Sequence, residues 1–211
     1  MEMEYVRPRD IEKRSFEIIA GELKSKNIML PEEELPVIMR VIHTTADIDY
    51  AETLKFSVGA VKRAGELLRQ GAHIVTDTNM ALSGINKKSL SLFGGEAHCF
   101  MADEDVALEA KEREVTRAHV SMERASALGV KTIFAIGNAP TALIALDELY
   151  KKGGFKPDFV IGVPVGFVNV EAAKELIIGS DMDYIVNRGR KGGSNVAAAI
   201  VNALMYMNGG R

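Results

Sequence analysis

Tryptophan is absent from this 211-residue chain, and aromatic residues make up only 6% of it, too few for a platform on which nucleic-acid bases could stack. Basic residues hold no surplus. The 26 Lys and Arg face 29 Asp and Glu, a formal net charge of −3 with a pI near 5.9. That balance excludes the basic footprint of a dedicated nucleic-acid binder. The single cysteine, Cys99, can form no internal disulfide and fits a reducing compartment. Long apolar runs are also missing. Val196–Val201 is among the longest, far below the ~20 residues of a membrane span. Met1–Asp10 mixes charges with apolar residues and holds no apolar signal core. A soluble, cytoplasmic protein with no membrane and no nucleic-acid partner is expected.

What the chain does contain is an ordinary globular balance, 47% hydrophobic and 26% charged. At this length roughly 70% of the unfolded surface is buried on folding, so one core needs no disulfide or metal. No linker, low-complexity tract or internal repeat divides it, and one domain over 1–211 is expected. The first 70 residues read as helices. Asp10 can N-cap a segment striped by Phe16, Ile19, Ala20 and Leu23, one face at helical spacing. Leu30-Pro31-Glu32-Glu33 predicts a second start, with Pro at the first position and carboxylates in the first turn. Its stripe is Leu35, Ile38, Val41 and Ile42. A third helix is expected from Tyr50 to Gln70, ended by Gly71. Beyond Gly71 apolar runs alternate with helical patterns. The runs are 72–76, a weaker 96–101, 131–136, 159–163 and 184–186, with a long helix predicted over Val106–Leu128. This alternation predicts an α/β fold with a mostly parallel sheet covered on both faces, behind a helical N-terminal region.

In open parallel sheets, ligands bind beyond the carboxyl ends of the strands. Three loops rich in small residues fall there. They contain Asn138, Ala139 and Thr141 in the first, Gly166 and Phe167 in the second, and Arg190, Gly192, Gly193 and Ser194 in the third. Each opens a predicted helix, so backbone N–H groups could face a carboxylate or phosphate. Arg188, Arg190 and Lys191 make the third loop a local basic patch. Neither the dinucleotide fingerprint nor the P-loop motif occurs. Of the four histidines, no pair has the spacing of a helical zinc site. His73 and His98 fall in predicted strands and read as core or sheet-edge residues, and His119 as a helix surface residue. His98 and Cys99 are strand neighbours and point to opposite faces, so they form no dyad. His43 follows Arg40 by three residues, which places both on one helix face beside the apolar stripe.

Several segments occur together in order: Glu12-Lys13-Arg14-Ser15-Phe16, Arg40-Val41-Ile42-His43, Gly137-Asn138-Ala139-Pro140-Thr141-Ala142-Leu143, Gly162-Val163-Pro164-Val165-Gly166-Phe167-Val168 and Gly189-Arg190-Lys191-Gly192-Gly193-Ser194. With them the whole chain resembles the precorrin-8X methylmutase family, whose anaerobic-pathway members are cobalt-precorrin-8 methylmutases. The resemblance implies a Rossmann-like three-layer fold, a homodimer with sites near its interface, and no redox cofactor. It implies a 1,5-methyl shift within ring C of a corrin precursor, giving hydrogenobyrinic or cobyrinic acid. By resemblance, His43 is the proton donor and acceptor, Ser15 and Arg40 contact substrate, and Arg117 binds carboxylate. No metal is expected at the site. Two other classes remain as alternatives. A non-catalytic corrinoid carrier would be indifferent to His43→Ala, and a phosphate- or nucleotide-dependent enzyme would bind ATP or a nicotinamide. A C-terminal helix carrying Val196, Ile200, Val201, Leu204 and Met205 is too apolar to face water all round. It suggests either packing on the sheet or a dimer surface.

Overall fold

The computed structural model describes residues 3–210. The first two residues of the Met1–Asp10 segment and the last residue of the expected 1–211 domain lie outside the described residues. A 3-10 turn at Pro8–Asp10 leads into α1 (Ile11–Ser25), followed by α2 (Leu35–Thr45), a short α3 (Tyr50–Thr53) and β1 (Leu54–Phe56). Then come α4 (Ala60–Arg69), β2 (His73–Thr76), α5 (Asn79–Gly84), α6 (Lys87–Ser91) and β3 (Ala97–His98). The remainder is α7 (Glu104–Glu112), α8 (Arg117–Ser126), β4 (Thr132–Ile136), α9 (Pro140–Lys152), β5 (Phe159–Gly162), α10 (Val170–Ile178), β6 (Tyr184–Asn187) and α11 (Ser194–Met207).

The six strands form one sheet in the order β1-β6-β5-β4-β2-β3. All pairs are parallel except β1 with β6. The central strands are buried on both faces, and strand alternation divides their side chains between two cores. Ile133, Ala135, Phe159, Ile161 and Ile185 meet Ile38 and Ile42 of α2, Leu67 of α4, and Val196 and Ile200 of α11. Phe134, Ile136, Val160 and Val186 meet Met122 of α8, Leu143 and Leu146 of α9, and Ile177 of α10. Three layers result.

Several boundaries differ from the sequence reading. Asp10 makes no side-chain cap bond. α2 begins at Leu35 rather than near Pro31. The Pro31 carbonyl accepts the amides of Glu34 and Leu35 in a turn, and Pro36 instead occupies the first helical turn, where its missing N–H costs nothing. The expected Tyr50–Gln70 helix is interrupted. Leu54–Phe56 pairs antiparallel with Asn187–Ile185 on the sheet edge, and Gly59, with φ of 69°, turns the chain into α4. The Val106–Leu128 helix is two helices, broken where Glu114 takes a φ of 53°. Thr116 restarts the second by accepting the His119 amide at 3.2 Å. Of 96–101, only Ala97–His98 is strand. The apolar residues of α11 are buried against its own sheet and helices, so its composition reflects internal packing and marks no dimer surface.

Candidate functional site

At the carboxyl ends of the parallel strands the loops brace one another. Asp77, directly after β2, is fully buried and accepts the amides of Gly137 (2.8 Å), Asn138 (2.7 Å) and Ala139 (2.5 Å). Burial pushes its pKa up, and the three amides oppose that shift. The first loop's N–H groups were expected to face a bound anion. They are instead committed to this internal carboxylate, leaving the exposed Asn138 side chain, the part-exposed Ala139 and Thr141 to face outward.

The other loops are tied down in the same manner. The Gly166 amide donates to the Arg190 carbonyl (3.2 Å), and the Gly193 amide to the Val163 carbonyl (2.9 Å). Gly192 packs so close to Val163 that a Cβ would collide with the Val163 carbonyl. A Cβ on Gly137 would fall 2.7 Å from the Ser194 Cα, so the first and third loops touch through backbone. Ser194 Oγ shares a hydrogen bond with Thr78 Oγ1 at 2.7 Å. Beneath the third loop, the fully buried Lys174 donates to the carbonyls of Gly189 (2.7 Å) and Lys191 (2.8 Å). Burial lowers its pKa to about 8.

The basic patch read on the third loop is charge-compensated. Arg188 pairs with Glu175, Arg190 with Glu171, and Lys191 with Asp47 and Asp49. The Arg190 guanidinium also lies 5.6 Å from the Phe167 ring centre, and Phe167 is 82% exposed. Arg117 stands differently. The break between α7 and α8 makes it the first residue of α8, and the neighbouring Thr116 donates to Thr141 Oγ1 at 3.0 Å. Arg117 and Thr141 therefore flank one rim. Among the described residues no carboxylate pairs with Arg117.

On the α1–α2 side, Arg40 and His43 both pack against Phe16, the residue that follows Ser15. Arg40, with its side chain 16% exposed, is ion-paired to Glu12 of α1. Its guanidinium lies 4.9 Å from the Phe16 ring centre and 5.6 Å from that of Tyr206. His43, one turn further along α2, packs its ring at 5.3 Å from that of Phe16. Neither ring nitrogen of His43 has a hydrogen-bond partner among the described residues. Ser15 donates to the Ile11 carbonyl (3.0 Å) within α1. Phe16, Pro36, Met39, Arg40, Tyr206 and Met207 help line a cleft of about 420 Å³. Arg40 and Tyr206 also border a second, of about 470 Å³, with Lys88 and Asn86. Arg40 lies at the carboxyl end of α11, while Lys191, just before α11, pairs beyond the carboxyl end of α2. The two helices thus run antiparallel, with His43 between these anchor points.

A family model described as precorrin-8X methylmutase matches residues 10–207. The chain belongs to the precorrin-8X methylmutase family. A cobalt-precorrin-8 methylmutase of Salmonella typhimurium is 43% identical, the alignment covering 97% of this chain and 98% of that protein. A precorrin-8X methylmutase of Pseudomonas aeruginosa is 36% identical over 96% of this chain and 97% of its own. Among solved structures, a precorrin-8X methyl mutase from Thermus thermophilus superimposes with a TM-score of 0.85 at 36% identity, covering 94% and 97% of the two chains.

In this methylmutase chain the framework residues were the ones sequence reading missed. Asp77, Lys174 and Thr116 each organise a loop or helix end that carries candidate site residues. Asp77 had a signal, since a carboxylate directly follows a buried strand. Lys174 had none, because it sits in a helix with a neighbouring acid and looks like any solvated lysine. His119, read as surface, is half-buried with Nε2 3.3 Å from Glu123.

Proposed function

We propose that the chain is a methylmutase of cobalamin biosynthesis, isomerising precorrin-8X or cobalt-precorrin-8 to hydrogenobyrinic or cobyrinic acid. The observation that carries this is the family match across residues 10–207. The reaction moves one methyl group, with its bonding pair, between adjacent carbons of ring C. Composition is unchanged, so neither oxidant nor reductant is consumed.

His43 is the group placed to assist. Its nitrogens are uncommitted among the described residues, and Phe16 holds its ring. As imidazolium it donates a proton to the conjugated macrocycle. The resulting electron demand draws the methyl across, and the same imidazole retrieves the proton. Arg40 offers carboxylate recognition. Glu12 occupies one edge of its planar fork, and a guanidinium has five N–H donors. Ser15, one residue before Phe16 on α1, adds a hydroxyl for the substrate. Arg117, Asn138, Ala139 and Thr141 face the macrocycle's acetate and propionate arms at one rim, and Gly166, Phe167, Arg190, Gly192, Gly193 and Ser194 at the other. The Arg190–Glu171 pair is exposed, so a ligand carboxylate replaces Glu171 at little cost.

A homodimer completes the site. A cleft of about 420 Å³ is at the low end of small-molecule pockets, ~300–1,000 Å³, and a macrocycle ringed by many acetate and propionate arms needs further wall. We place the enzyme in the cytoplasm, acting as one domain. The test is single-turnover conversion of the metal-free and the cobalt-loaded substrate without added cofactor, followed by absorbance and mass. Conversion at unchanged mass is expected. Tight binding without conversion would point to a carrier, and conversion only with ATP or a nicotinamide to the other class.

A further inference from the structure

The β2–β3 edge of the sheet carries a cluster that the methyl shift does not use. Val75 pairs with His98 in parallel register, and side chains two residues apart share a face. His73, Val75, Glu96 and His98 therefore stand on one face of the sheet. The two imidazoles stack with centres 5.1 Å apart, and His73 Nδ1 lies 2.8 Å from His98 Nε2. Glu96 Oε2 lies 4.0 Å from that same His98 nitrogen. One ligand atom from each of the three residues falls within 4.8 Å of the others.

Two ring nitrogens facing each other at this distance cannot both carry a proton, so at least one lone pair points into the gap. Phe100 stacks 6.0 Å from His98 and holds its plane. Glu96 is exposed and free to turn inward. Two imidazoles with one carboxylate suit zinc and its first-row neighbours, whereas calcium and magnesium take oxygen ligands. With Zn–N near ~2.0–2.1 Å, two nitrogens on a tetrahedral ion stand about 3.3 Å apart. The histidine pair needs only to open by roughly half an ångström, the shared hydrogen moving to the other nitrogen of its own ring as the metal takes its place.

From this geometry we infer that His73, Glu96 and His98 bind one zinc-type divalent cation, which clamps strand β3 to β2. The clamp has a purpose in the fold. β3 is held to β2 at only two register positions, Ile74↔Ala97 and Val75↔His98, and it is the outermost strand of the sheet. The same strand β2 continues into Asp77, which organises the first loop.

The test uses tag-free, full-length protein stripped with chelator and titrated calorimetrically with zinc ion. Cobalt(II) serves as a spectroscopic stand-in. One site per chain of micromolar affinity is expected, with a visible cobalt d–d band and a rise in Tm on adding zinc. His73→Ala and His98→Ala should each weaken zinc by at least about tenfold, and His119→Ala should leave it unchanged. Zinc bound no more tightly than millimolar by the wild type would overturn the inference, as would unchanged affinity in both histidine variants. Should a histidine variant fail to fold, Glu96→Gln, on the exposed rim, decides. It must weaken zinc and reduce the cobalt band, and an unaltered titration would contradict the site.

Discussion

Arg40 and Arg117 show how one residue type takes two states in one chain. Arg40, a proposed carboxylate ligand, is held by Glu12 and lies against the Phe16 and Tyr206 rings, so it is oriented but already compensated. Arg117 stands at a helix start with no acidic partner among the described residues. Replacing either with Ala should weaken corrinoid binding by about 1–3 kcal/mol per charged hydrogen bond lost, read by absorbance titration with product. Unchanged affinity in both variants would contradict their assignment. Lys174 allows a test of the loop framework through pH. Below pH about 8 the folded and unfolded chains both carry its proton. Between about 8 and 10.5 only the unfolded chain does, so this residue makes stability rise with pH across that window. The wild-type minus Lys174→Met difference in unfolding free energy should grow by on the order of 3 kcal/mol from pH 8 to pH 10.5. A flat difference would mean that Lys174 is not buried as a cation beneath Gly189 and Lys191.

Among the elements, those with strong apolar patterns were legible. The buried runs at β2, β4, β5 and β6 and the stripe Ile38–Val41–Ile42 stand where periodicity put them, because burial alone decides such positions. What stayed hidden depends on contacts distant in sequence. β1 exists because Asn187, Val186 and Ile185 offer an edge to Leu54, Lys55 and Phe56, a partner that local propensity cannot see. The α7–α8 break hid because both helices are amphipathic and the joint, Glu114 to Thr116, holds neither Gly nor Pro. For the site, motif residues were legible as positions, while the commitment of the first loop's amides to Asp77 was not. The break sets Arg117, a proposed carboxylate ligand, at a helix start whose cap residue bonds Thr141. Thr116→Val removes the cap that accepts the His119 amide and the bond to Thr141. It should cost about 1 kcal/mol in denaturant unfolding and also weaken product binding. Full stability in this variant would remove Thr116 as the element's organiser.

At the scale of the molecule, the proposed site residues lie on the loop edge and the α1–α2 face, and the clefts beside Arg40 are small for a corrin macrocycle. A symmetric dimer encloses such a surface without further chain. Sedimentation equilibrium at micromolar concentration should give twice the 23.0 kDa chain mass, and a 23.0 kDa species with full turnover would refute the shared enclosure. His43 on α2 is the proposed carrier of the proton that permits the methyl shift. Single-turnover conversion by His43→Ala, with product affinity titrated on the same preparation, tests it most directly. Turnover should fall by ~10²-fold or more while product affinity stays within a few-fold of wild type. Near-normal turnover in that variant would contradict the account.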